Sequence, residues 1–159
     1  MSKKLTIQKR DEGNTTWLTL EGIIDENANF KDAFSGLQEK VVFDLGGIDL
    51  INSCGVREWM HALQQLPKDS QVQYVNCAPR IVEQINYVAN FLGSGTVQSF
   101  YAPYFCAKCK KESNILLTGK ELGSARPVKA PAEKCPTCKV AMEFDDIEEE
   151  YFSFLDEAK

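Results

Sequence analysis

Residues 41–66 read VVFDLGGIDLINSCGVREWMHALQQL, and the change of hydrophobic period within them decides the fold. Val41-Val42-Phe43-Asp44-Leu45 is a short apolar run rich in β-branched and aromatic residues, bounded by Gly46-Gly47, the pattern of a strand buried on both faces. Val56, Trp59, Met60, Leu63 and Leu66 then recur at helical spacing until Pro67 ends the pattern. Cys54 therefore falls in the first turn of a helix, where unpartnered backbone N–H groups favour negative charge.

Working outward, Leu5–Lys9 and Thr16–Glu21 alternate with period two around the turn signal Asp11-Glu12-Gly13-Asn14 and predict a hairpin. A helix is expected next, capped by Asp25 or Asn27, with Phe30, Ala33, Phe34 and Leu37 on its buried stripe. Beyond residue 66 the pattern gives a strand at Val72–Asn76 and a helix opened by Pro79, with Ile81, Ile85, Val88 and Leu92 inward and Gly93 closing it. A last strand is expected at Thr96–Tyr101. The order ββαβαβαβ is an α/β pattern whose later strands run parallel through right-handed crossovers.

Charge divides the chain in the same places as motif. Residues 1–105 carry nine Lys/Arg against twelve Asp/Glu, residues 106–139 eight against three, and residues 140–159 one against eight. The middle piece, rich in Lys, Gly and Pro, lacks the apolar periodicity to fold without a staple. The last, FDDIEEEYFSFLDEAK, predicts an amphipathic acidic helix with Phe144, Ile147, Tyr151, Phe154 and Leu155 on one side, either docked on the rest or free to bind a partner. Three units are expected: an α/β domain at 1–101, a cysteine module at 102–143 and an acidic tail at 144–159.

Six cysteines stand in 159 residues. The N-terminal MSKKLTIQKR has no apolar stretch behind it for a signal peptide, and no segment is long enough to span a bilayer, so a cytoplasmic protein with reduced thiols is expected. Cys106-x-x-Cys109 and Cys135-x-x-Cys138, 25 residues apart, form two turns that each aim two thiolates at one ion. One structural Zn2+ is expected there. Four protein ligands leave no open position for catalysis, and Lys110 and Lys139 offset part of the thiolate charge. The module resembles a zinc ribbon, whose excess of lysines also permits nucleic-acid contact.

With these elements in order, DLGGIDLINSCGVREWMHAL resembles the central signature of the STAS family, the domain of bacterial anti-sigma-factor antagonists. The matching residues are Asp44-Leu45 and Asn52-Ser53-Cys54-Gly55, supported by Gly22-Ile23-Ile24-Asp25, Ala78-Pro79-Arg80-Ile81 and Phe91-Leu92-Gly93. The resemblance covers about residues 1–101 and implies a STAS-like mixed sheet and a non-enzymatic protein-interaction role. The partner it implies is a serine-kinase anti-sigma factor or related signalling protein. It also implies docking through Asp25, Asn52, Ser53, Cys54, Gly55 and Arg57. The family's phosphorylated hydroxyl residue is matched here by Cys54, which no serine kinase can modify, and the preceding aspartate by Asn52. Ser53 is then expected to cap the helix, and Cys54 to be a small, partly buried apolar residue, with a thiol sensor as the alternative. His61, the one histidine, stands two turns from Cys54, too far for a Cys-His nucleophile pair, and no enzyme is expected. Cys77 reads as core.

Overall fold

The structure, a computed structural model, describes residues 4–157; residues 158 and 159 of the expected tail lie outside them. Two sheets divide the chain. The first runs β1 (Thr6–Glu12), β2 (Thr15–Ile24), β3 (Lys40–Ile51), β4 (Gln71–Val75) and β5 (Thr96–Val97), in that spatial order. β1 and β2 form the expected antiparallel hairpin, turned at Gly13 with φ 61°, and every later neighbour is parallel. A mixed sheet results. α1 (Ser53–Gln64) connects β3 to β4, and α2 (Pro79–Tyr87) leads from β4 toward β5.

Trp59 explains why α1 sits where it does. Its indole is buried among Phe30, Phe34, Phe43, Tyr74 and Phe91, with ring centroids 5.2–6.2 Å away, and its Nε1 donates to the Phe91 carbonyl at 2.9 Å. One side chain thus joins α1, the strands β3 and β4, and both long connections. The helix expected across Phe30–Leu37 does not form. Asp25 and Asn29 accept instead from the Asn27 and Lys31 N–H groups at 2.9 and 3.0 Å, local bonds that hold the segment in turns. Phe30 reaches the core regardless.

The expected strand at 96–101 splits between the sheets. Thr96 and Val97 pair with β4, whereas Ser99 begins β6 (Ser99–Cys106), the centre of a second, antiparallel sheet. Its flanks are β7 (Lys111–Thr118) and β8 (Glu143–Phe144), and the short α3 (Gly119–Leu122) follows β7. β6 runs without a break across residues 101 and 102. Its first half is tied to the first sheet through Cys77, whose N–H donates to the Ser99 carbonyl and whose carbonyl accepts from the Tyr101 N–H, at 3.2 and 2.9 Å. Pro103 is tolerated mid-strand because its carbonyl faces β8, accepting from the Asp145 N–H at 2.9 Å. Its missing N–H therefore lies on the same side, where β8 ends.

The acidic segment is not one helix. It folds as α4 (Glu148–Tyr151) and α5 (Ser153–Glu157), broken at Phe152, and the adjacent Tyr151 and Phe152 are both buried. Ile147, expected on the buried stripe, is 54% exposed. Tyr151, Phe152, Phe154 and Leu155 share one apolar cluster with the residues around Trp59. Because Trp59 unites so many elements, Trp59→Ala is expected to lower the free energy of unfolding by about 3–5 kcal/mol in urea titration.

Candidate metal centre and helix-edge platform

The four cysteines at metal spacing meet at one point. Cys106 ends β6, Cys109 lies in the turn to β7, and Cys135 and Cys138 occupy a second turn steadied by a Cys135 N–H bond to the Val140 carbonyl at 2.8 Å. All four sulfurs lie within 4.8 Å of one another. The Cys106–Cys138 and Cys109–Cys135 separations are 3.5 and 3.9 Å. A tetrahedral shell with metal–sulfur bonds of about 2.3 Å sets its sulfurs ~3.8 Å apart, so the donors fit a single soft cation.

The two turns are built alike. In each, the N–H of the residue after the second cysteine donates to the carbonyl of the first, Lys110 to Cys106 at 2.7 Å and Lys139 to Cys135 at 2.9 Å. Both lysines adopt positive φ, 56° and 65°. Those positions close the turns, a role beyond the charge compensation expected of them. Cys106 and Cys135 are buried while Cys109 and Cys138 are partly exposed. The backbone N–H groups of Cys138 and Thr137 lead the influences that pull the Cys135 thiol down to about 6, whereas hydrogen bonding to Cys138 leads those that push Cys109 up to about 12. Cys135 and Cys109 are thus pulled in opposite directions, and cation binding must displace any protons the ligating sulfurs hold.

The second candidate lies at the entrance to α1. Asn52, not Ser53, is the cap: its Oδ1 accepts from the Gly55 N–H at 2.7 Å, and its Nδ2 donates to Glu26 at 3.2 Å. A backbone N–H and the Asn52 amide hold the Glu26 carboxyl below its usual range. Gly55 packs on the end of β2 so closely that a Cβ there would stand 2.0 Å from the Ile24 carbonyl oxygen. With the helix pinned, Asn52, Ser53, Cys54 and Arg57 are exposed along one edge and Asp25 is partly buried beside them. Cys54 is therefore not the partly buried apolar residue expected; its thiol faces solvent. Cys77 is fully buried as expected, and burial, with Asp44 nearby, pushes its thiol well above the ordinary range. His61 is exposed on the outer face of α1.

Two residues outside the expected set hold these pieces together. Asn86 on α2 donates to the Tyr151 carbonyl and accepts from the Ser153 hydroxyl and the Phe154 N–H, at 2.9–3.0 Å. Arg126 pairs with Asp156 at 3.2 Å, and the nearby Ala130 N–H donates to Glu148 at 2.7 Å, so acidic tail residues lie against the basic module. The unequal charge of the two pieces was the sequence signal for the second contact. None existed for Asn86. No helix among the described residues is long and apolar enough to cross a membrane.

Among solved structures, the chain is similar to the crystal structure of an anti-sigma factor antagonist from Mycobacterium paratuberculosis, with a TM-score of 0.50 and 17% sequence identity. The match spans 60% of this chain and 90% of that one. No protein family's sequence profile matches the chain, and no curated protein matches it. The likeness is one of fold, and it supports the STAS-like reading of the first sheet and its helices.

Two outcomes follow from this geometry. Metal titration against a chromophoric chelator should saturate at one ion per chain, and affinity should fall as pH is lowered from 7 to 5, because protons reclaim the sulfurs. Gly55→Ala should cost at least ~2 kcal/mol in chemical denaturation, since neither Ile24 nor the helix start can yield to a Cβ without shifting backbone.

Proposed function

We propose that this chain is a non-enzymatic regulatory protein-interaction module of the anti-sigma-factor-antagonist type, braced by one structural zinc ion on Cys106, Cys109, Cys135 and Cys138. The observation that carries the reading is the entrance to α1. The close approach of Gly55 to Ile24 makes Asn52, Ser53, Cys54 and Arg57 a rigid exposed edge, continued by Asp25. A rigid edge costs a partner little ordering entropy on docking. Zinc suits the second site because four thiolates saturate a tetrahedral ion, leaving it structural. Reduced thiols at this spacing agree with a cytoplasmic location.

The partner is a protein, and a serine-kinase anti-sigma factor or related signalling protein fits the STAS-like fold best. Cys54 occupies the position of the modified hydroxyl, so docking is retained here without a serine phospho-switch. A nucleic-acid role for the lysine-rich module is weaker, because Arg126 and the neighbouring Ala130 N–H already engage tail carboxylates.

Affinity capture from the native cell tests this reading, using wild type, Cys54→Ser and Cys54→Glu. Negative charge in a first helical turn favours the helix, so the glutamate variant should remain folded. A kinase-like protein should be retained by wild type and by Cys54→Ser, with at least tenfold weaker retention by Cys54→Glu. Equal retention by all three would place docking elsewhere. The exposure of Cys54 also favours a second reading as a thiol sensor. Alkylation at neutral pH faster than that of an ordinary exposed thiol would support it.

A further inference from the structure

The C-terminal segment is fastened at two ends. At the far end, Phe152 and Phe154 meet Phe100 of β6 with ring centroids 6.0 and 5.0 Å apart, and Asn86 of α2 makes its three hydrogen bonds to residues 151–154. Arg126 donates to the Leu155 carbonyl at 3.3 Å as well as pairing with Asp156. At the near end the segment hangs on Phe144, which stacks on Phe152 at 5.2 Å and meets both Tyr104 and Tyr151 at 5.6 Å.

Phe144 is held in turn by β8, a strand of two residues paired with Tyr104 and Phe105. Just ahead of β8 stands the turn that carries Cys135 and Cys138, joined to it by the Met142 N–H bond to the Glu133 carbonyl at 2.8 Å. Within residues 129–142, Cys135 and Met142 are the buried side chains. Ordering a backbone costs about 1–2 kcal/mol per residue, which so little burial does not offset. Bonds from thiolate to metal can supply the difference. The first sheet needs no such help, because Trp59 and its aromatic neighbours give it a core of its own.

We propose that the four-cysteine centre is a latch for the C-terminal strap, residues 144–157. With metal bound, the second cysteine turn seats β8, Phe144 seats Phe152, and the strap covers Phe100 and one side of α2. With metal removed, residues 129–147 loosen and the strap opens, uncovering an aromatic surface while the first sheet stays folded. The latch rests on the metal reading given above.

Hydrogen exchange followed by mass spectrometry on the full chain tests it, with zinc content measured by elemental analysis on the same samples. Stripping zinc with EDTA should speed exchange across residues 148–156 at least tenfold and leave residues 41–45 unchanged; restoring zinc should restore protection. Phe144→Ala should open the strap to a similar degree while keeping one zinc per chain. Unchanged strap protection after verified zinc loss would overturn the latch and leave the metal site standing. Loss of protection at 41–45 as well would also overturn it, since the metal would then hold the whole chain. A zinc-loaded Phe144→Ala variant with a protected strap would overturn the relay through that ring. Never-chelated protein that carries no metal and takes up no zinc would overturn the metal reading and the latch together.

Discussion

Cys106 ends a strand whose other end is hydrogen-bonded into the main sheet through Cys77, and this shared strand constrains everything downstream of it. A side chain alternates faces every residue along a strand, so Phe100, Ala102, Tyr104 and Cys106 share one buried face. The first of them belongs to the aromatic packing beneath the C-terminal segment and the last to the thiol cluster. Whatever fixes the four sulfurs therefore also fixes the outer end of β6. The strap then lies over the inner end, against Phe100 and Asn86.

The same geometry separates two kinds of work. In the proposed function, recognition falls to the edge at the start of α1, which is held by a glycine forced against Ile24 and by the Asn52 cap. Stabilisation is assigned to the cysteine module, which has little apolar material of its own and borrows a strand from its neighbour. A partner approaching the α1 edge would meet polar side chains and a thiol. The apolar surface on the other side is already covered by the chain itself.

Much of this was legible in the residues. The helix that starts at Ser53 follows from a clean change of period, although the strand before it runs through Gly46 and Gly47 to Ile51 instead of ending at them, and the paired C-x-x-C turns announce a common point because thiolates at that spacing converge. The apolar spacing of Phe30 and Phe34 does mark side chains that pack into or against the core, but a helix through them competes with Asp25 and Asn29, whose side chains bond to nearby backbone N–H groups. Strand β6 hid behind Pro103, a residue that argues against a central strand until β8 is seen to end beside it. In the tail, periodicity selected Ile147 and passed over Phe152, because the break between α4 and α5 is set by packing on Phe100 and Phe144 rather than by any local signal. Exposure of Cys54 was illegible for a similar reason: it depends on how tightly Gly55 presses the helix onto β2.

Four sulfurs closing the shell of one ion would complete a core that the cysteine module lacks. X-ray absorption at the zinc edge on the purified, never-chelated protein addresses it directly. We expect four sulfur neighbours at about 2.3 Å and no nitrogen or oxygen ligand. A shell with fewer sulfurs and a bound water, or several ions shared among the cysteines, would contradict it.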